Sequence, residues 1–372
     1  MSMVFRDGFT DSFLNSYKSL AEALYSDTAE KSLNIDKKYK TKGLDFAYIK
    51  DESINAKVWI SRNMDTMCIN TGTISQLYAW FYSVFSDPAM FNEIGNASVE
   101  DSSKVDGSFD VSKMQIQFTG EPKDKVRWTV ANITAMLAIR FIVAHELGHL
   151  MNGHVFLLKS LYGTKSVDMI PKKLRSTGFK GSEKDYALDR RALEMDADAY
   201  AVTSSIYTLD QLLTSKRDLS EPFLELLVSP LQIFELWGFA VHTIFMLFER
   251  EQGSLPEYEE KLLYLPTEAR QTLNISAFIE SFRYNRQGGH LQYSDDEIET
   301  VINFVKSGIG KSELFFNANE STSYNFFESA LDNSEFYKFT EELRTHWSDS
   351  LRSKLEEYSR AKLYNPSKMN FL

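Results

Sequence analysis

Residues 141–154 read FIVAHELGHLMNGH, and three of the chain's six histidines fall here around a single glutamate. In a helix, His145 and His149 are four residues apart and lie on one face, a turn from each other. Two imidazoles so placed can chelate one Zn²⁺ at about 2.0–2.1 Å. Glu146 stands one residue round the helix, beside such an ion rather than on it. There it can take a proton from a water whose pKa the metal lowers to about 7. The alternative is a half-buried helix whose histidines hydrogen-bond to their neighbours. Two features weigh against that alternative. The preceding LAIRFIVA is nearly all apolar, and burying His-Glu-x-x-His there without a strong partner carries a heavy desolvation cost. Gly148 also costs helix stability, yet it would let another backbone or a substrate approach closely.

A catalytic zinc takes three protein ligands and a water. His154 falls on the opposite face of the helix if the helix continues ideally, and is free to go elsewhere if the helix ends at Asn152-Gly153. Its spacing also differs from the longer H-E-x-x-H-x-x-G-x-x-H arrangement, so a capping or structural role is expected for it rather than ligation. The better third ligand lies downstream in ALEMDADAYA, residues 192–201. Glu194 and Asp198 are again four apart, and the small Ala197 and Ala201 would let two helices approach. Glu194 can complete a His/His/Glu site, and Asp198 can accept the second N–H of a ligand histidine and so fix its tautomer. The competing interpretation is a solvated acidic face, to which Asp196 also belongs.

The rest of the chain is consistent with a large packed core. Its 372 residues are 43% hydrophobic and 25% charged, a globular profile with room for two domains or one larger one. The net charge of -11 disfavours binding to nucleic acid or anionic lipid. With Cys68 as the sole cysteine, no intramolecular disulfide can form and a zinc site must use His and carboxylates. No secretory signal is recognised at the start, and a cytoplasmic location is expected. The most apolar run, Pro230–Arg250, is interrupted by Glu235 and His242 and is expected to be a buried helix rather than a membrane span.

Periodicity divides the chain further. Mixed-charge helix is expected over the first forty residues, then short strands in LDFAYI, AKVWIS and TMCIN, and a helix in TISQLYAWFYSVF. Residues 86–113 are polar and expected to be a surface insertion, with a strand in KMQIQFTG after them. A long helix from Lys125 should stop at Asn152-Gly153. The basic PKKLRSTGFKGSEK, from residue 171, is expected to be a loop before the helix that carries Glu194, and the remainder is helical in pattern.

H-E-x-x-H followed by E-x-x-A-D resembles the gluzincin metallopeptidases: the HtpX and CAAX-prenyl protease group, the ImmA-type repressor proteases and the Lit-type phage-exclusion peptidases. HELGHLMNGH, with its later histidine, is similar to the last two in particular. Ile54–Leu77 resembles the strand and I-N-x-G lead-in of such enzymes, and Tyr264–Arg270 resembles their H-P-x-x-x-R segment, with Leu265 where His is usual. The resemblance covers residues 45–275 and implies an α+β, mainly α fold. That fold has a zincin-like core with a small mixed sheet, an active-site helix and a second ligand-bearing helix, flanked by extra helices. The segments would be an N-terminal helical extension (1–44), the metallopeptidase core (45–275) and a C-terminal helical region (276–372).

The resemblance further implies one Zn²⁺ per chain on His145, His149 and Glu194, with Glu146 as general base and Asp198 orienting a ligand histidine. Arg270 falls at the family's late arginine, as a substrate contact or a structural ion pair. An edge strand near Ala56–Ser61 or Met114–Phe118 would pair with an extended peptide. No transition-state-stabilising Tyr or His is assigned, and Tyr200 is equally well a packing residue. Convincing membrane spans and a DNA-binding module are both unrecognised. The implied activity is therefore that of a Lit-like, bacterial or phage-related zinc endopeptidase acting on a protein or peptide, without nucleic acid and with membrane contact as the minor alternative. The rival is a non-catalytic binding or scaffold protein on a degenerate or structural metal site, distinguished by whether the fourth coordination position is open.

Overall fold

A computed structural model describes residues 3–6, 10–32, 41–169, 180–214, 222–253, 265–287, 293–320 and 334–363. A short β1 (Val4–Phe5) and helix α1 (Ser12–Ser32) precede three strands: β2 (Leu44–Ile49), β3 (Ala56–Ser61) and β4 (Met64–Asn70). Arg62 and Asn63 both take positive φ, at 50° and 63°, the left-handed pair that a tight hairpin between β3 and β4 requires. β4 is buried over Asp65–Asn70 and lies at the centre of the sheet. The sheet order is β1-β2-β4-β3-β7, with β7 at Ser166–Asp168. Among the described residues only the β2–β4 pairing is parallel, so the sheet is small and mixed.

Helix α2 (Thr71–Phe85) leaves β4 directly, and a separate hairpin of β5 (Gly107–Asp110) and β6 (Gln115–Phe118) follows. Helix α3 (Lys125–Met151) carries the His-Glu-x-x-His run. Its start is set by Asp124, whose side chain accepts from the backbone N–H of Val126 and Arg127, satisfying donors that no helical carbonyl reaches. Then come α4 (His154–Tyr162), β7 and α5 (Glu183–Thr214), which carries Glu194 and Asp198. They are followed by α6 (Gln232–Gly253), α7 (Thr267–Gln287), α8 (Asp295–Asn319), α9 (Ser334–His346) and α10 (Arg352–Tyr358). The fold is thus mainly helical with a small mixed sheet.

One hydrophobic core extends from Leu14 to Leu363 and draws on all three segments 1–44, 45–275 and 276–372. A small second cluster of Ala47, Ile49 and Cys68 lies under Trp59. Among the described residues, α3 is the helix long and apolar enough to cross a membrane, and 78% of its apolar window is buried inside the protein. The run from Pro230 forms α6, where buried Glu235 pairs with Lys311 at 2.9 Å and buried His242 with Glu313 at 3.2 Å.

Two expectations need correction. The stretch after residue 86 is not all surface, because Met90, Phe91, Ile94 and Val105 are buried. It wraps Arg127, whose guanidinium donates to the carbonyls of Phe85, Asp87, Met90, Phe91 and Ile94. A fully buried cation is tolerated there because backbone acceptors surround it. Strand β3, expected as an edge, is instead paired by β7 over Lys57–Trp59, and Met169 N–H donates to Ala56 O at 2.9 Å. Most of the basic loop expected from residue 171 lies outside the described residues, as does Tyr264.

The far end of α3 is closed by the C-terminal region. Backbone N–H groups of Arg360 and Ala361 donate to Met151 O at 2.6 and 3.1 Å. The Arg360 side chain donates to Leu150 O at 2.9 Å and to buried Asp65 at 2.5 Å. These bonds satisfy carbonyls that a helix end leaves bare.

Candidate metal centre

The four-residue spacing on α3 places the His145 and His149 rings one above the other, with their Nε2 atoms 3.1 Å apart. Helix α5 crosses α3 where Gly148 has no side chain. A Cβ there would sit 3.1 Å from Ala197 Cα and 3.1 Å from Tyr200 Cβ. That close crossing brings Glu194 to the histidines, with Oε2 at 3.3 Å from His145 Nε2 and Oε1 at 3.5 Å from His149 Nε2.

These separations test whether a metal fits. Around a tetrahedral zinc with ligand distances of about 2.0–2.1 Å, neighbouring ligand atoms are about 3.3 Å apart. The separation of the two nitrogens and each nitrogen's approach to the carboxylate lie near that value, although the two carboxylate contacts fall on different oxygens. His145, His149 and Glu194 form the metal-capable group found among the described residues. Glu194 Oε2 accepts no hydrogen bond although it is buried. Two imidazoles and a carboxylate are a donor set that zinc accepts. The residues fit the ion.

The supports around the set are unequal. His145 Nδ1 meets Asp198 Oδ1 at 2.8 Å, the outer contact expected for Asp198. Arg270 donates to both Asp198 oxygens, Nε to Oδ2 at 2.8 Å and Nη2 to Oδ1 at 2.7 Å. Its guanidinium also lies 4.7 Å from the Phe245 ring centroid. Arg270 therefore sits in an ion pair with Asp198 and is buried. Arg190, which sequence reasoning passed over, donates to Glu194 Oε1 at 2.7 Å and to Asp168 O at 2.9 Å. Its i,i+4 spacing to Glu194 was the available signal. Tyr200 bonds Thr28 through its hydroxyl at 3.0 Å and packs under the Gly148 crossing.

His154 does not cap a helix. It opens α4, and its ring turns back so that Nδ1 lies 2.9 Å from His149 Nδ1, while Nε2 lies 2.9 Å from Asp196 Oδ2. Asn152 Nδ2 also donates to Asp196 Oδ2, at 2.6 Å. Asp196, grouped above with a solvated face, is in fact held by these two residues.

Electrostatics follow from burial. Glu146 is fully buried with no hydrogen-bond partner on either oxygen, and burial pushes its carboxyl up to about 8. Burial works against charge on Glu194 too, but Arg190 and His149 outweigh it and hold that carboxyl well below the usual range. Asp198 is likewise kept low against burial by Arg270. Burial lowers His149 to about 3, whereas at His145 it is outweighed by Asp198 and Glu194, leaving about 9. Burial and the neighbouring charges thus push these clustered groups in different directions.

The site is enclosed: His145, Glu146 and His149 have no exposed surface, and Glu194 retains 3%. Compared with protein-family models, curated proteins and solved structures, the chain matches none.

Proposed function

We propose that the protein is a zinc-dependent endopeptidase of gluzincin type, built on a zincin-like core and acting on a peptide bond in a protein or peptide substrate. The observation that carries this reading is the near-equal spacing of His145 Nε2, His149 Nε2 and Glu194 beside a buried, unpartnered Glu146. His145, His149 and Glu194 would hold one zinc per chain. Zinc, when bound, supplies a Lewis acid for the carbonyl and makes water a competent nucleophile near neutral pH. Glu146 accepts a proton from the water that adds to the peptide carbonyl and hands it to the amine nitrogen as the C–N bond breaks. Both Glu146 oxygens are free of other partners, which supports this role. Asp198, clamped by Arg270, fixes the His145 ring so that Nε2 faces inward. The lone, buried Cys68 suits a reducing, cytoplasmic setting.

The enclosure of the site favours one second reading, a structural metal site in a binding or scaffold protein. A closed site would complete its coordination from the protein, whereas an enzyme keeps one position for water or substrate.

Metal analysis of the chain purified without chelators tests the main reading. One zinc per chain, retained in Glu146→Gln and lost in His145→Ala, is expected. Protein free of metal under those conditions would overturn it. Cobalt-substituted protein separates the two readings: a small hydroxamate should alter the visible spectrum of an enzyme site and leave a closed one unchanged.

A further inference from the structure

The two ligand histidines are oriented by different devices. A histidine that binds a metal through Nε2 carries its proton on Nδ1, and that N–H needs an acceptor. For His145 the acceptor is Asp198. His149 has no carboxylate at its Nδ1; the atom there is His154 Nδ1, 2.9 Å away. If His149 donates, His154 must accept, so the His154 proton stands on Nε2. Asp196 Oδ2 lies 2.9 Å from that Nε2. Each nitrogen then has one partner of the right kind, and a single arrangement of protons satisfies all three residues.

We propose that His154 and Asp196 are positioning residues for His149, holding its ring so that Nε2 faces the metal. The proposal rests on the metal reading above. A ligand role for His154 fails on geometry, since its ring meets the Nδ1 of His149, on the side away from His145 Nε2 and Glu194. The local fold shows how the pair is made. Helix α3 ends at Met151, and Gly153 takes a left-handed φ of 83°. α4 then begins at His154, and its fully buried ring lies back against the last turn of α3. A Cβ on Gly153 would come within 2.7 Å of Tyr358, so both backbone angle and space keep glycine at the bend. Asn152, at the same bend, donates to the other side of the device by bonding Asp196.

The test uses the full chain, stripped of metal and titrated with Zn²⁺ against a chromophoric chelator, and with Co²⁺ for its visible spectrum. His154→Leu fills similar space but offers neither acceptor nor donor. It should weaken Zn²⁺ binding about 10–100-fold, the usual effect of losing an outer contact to a ligand histidine, and change the Co²⁺ spectrum. His154→Gln keeps an acceptor and a donor and should recover most of the affinity. Asp196→Ala, at a partly exposed position, should weaken binding less and serves if His154→Leu fails to fold. A packing role would instead follow the urea midpoint of the metal-free protein and would not separate Leu from Gln by affinity.

In the zinc-loaded chain, ¹⁵N spectra should show His149 protonated on Nδ1 and His154 on Nε2. His154 protonated on Nδ1, or unchanged affinity and spectrum in His154→Leu, would overturn the proposal while leaving the metal site standing. An unaltered chain that binds neither Zn²⁺ nor Co²⁺ would instead remove the metal reading itself, and this proposal with it.

Discussion

Arg270 grips Asp198 by two parallel hydrogen bonds of 2.8 and 2.7 Å, with both side chains buried. The aspartate is thereby kept ionised and aimed at His145. Removing one member of a buried pair leaves the other uncompensated, at a cost of about 3–5 kcal/mol. Arg270→Met should lose that much stability in urea unfolding of the metal-free protein. Arg270→Lys should recover only part, because an ammonium cannot make the fork. A loss under 1 kcal/mol for Arg270→Met would refute the assignment of Arg270 as the group that holds Asp198.

Glu146 presents the opposite case, a buried carboxyl with no partner on either oxygen. Leaving such a group unsatisfied costs about 1–3 kcal/mol. Glu146→Leu should therefore raise the stability of the metal-free chain by that order while abolishing any hydrolysis. A urea midpoint equal to or below that of the unaltered chain would count against the isolation of Glu146.

Gly148 tests the helix crossing. A larger side chain would press on Ala197 and Tyr200, and overpacking of this kind costs about 1–3 kcal/mol. Gly148→Val should also weaken zinc binding, since Ala197 lies on α5 between Glu194 and Asp198. Gly310, on α8 with nothing near its missing Cβ, is the control: Gly310→Ala should stabilise by about 0.5–1 kcal/mol. Equal behaviour of the two substitutions would exclude close approach as the reason for Gly148.

Alkaline pH should unfold the protein through its tyrosines. Tyr17 and Tyr78 share a 2.5 Å hydroxyl contact, and Tyr48 donates to Leu14 O at 2.9 Å. Burial pushes all three up, and pushes Tyr82 to about 12. A folded pKa raised above the unfolded one gives stability that is complete below the unfolded value, near 10, and is lost as pH rises toward the folded value. Each such group adds a slope approaching about 1.4 kcal/mol per pH unit. The urea midpoint should hold to pH 9 and fall steeply above 10, with tyrosinate absorbance from these four residues appearing only on unfolding. Tyrosinate absorbance from these residues in folded protein at pH 10 would contradict it.

The elements that sequence made plain were those with one dominant local cause. Alternation gave β2 to β4, and the Asn152-Gly153 stop ended α3 where the structure ends it. The i,i+4 pairs His145/His149 and Glu194/Asp198 needed only helix geometry and a crossing. What was missed depended on the chain reversing or meeting itself far away. The stop expected at Asn152-Gly153 left the direction of His154 open, and it is the bend at Gly153 that turns its ring back onto His149. Asp196 lies two residues from both Glu194 and Asp198, a spacing that turns it off their face, and only the reversal at Gly153 gives it a partner. Arg127 hid its role because its acceptors are backbone carbonyls, which no side-chain pattern encodes. The pairing of β7 with β3 likewise spans more than a hundred residues and leaves no mark in either strand.

The closure of α3 by Arg360 and Ala361 places the final bonds of that helix 210 residues downstream of Leu150. During synthesis His145, Glu146 and His149 leave the ribosome long before those bonds can form. For all that interval, the turn beneath His149 ends in bare carbonyls and Asp65 lacks its cation. Closure of the helix end therefore waits on translation of the C-terminal region. A nascent chain carries His145, Glu146 and His149 but not the finished helix, and it gains the finished helix only after residue 361 has been made.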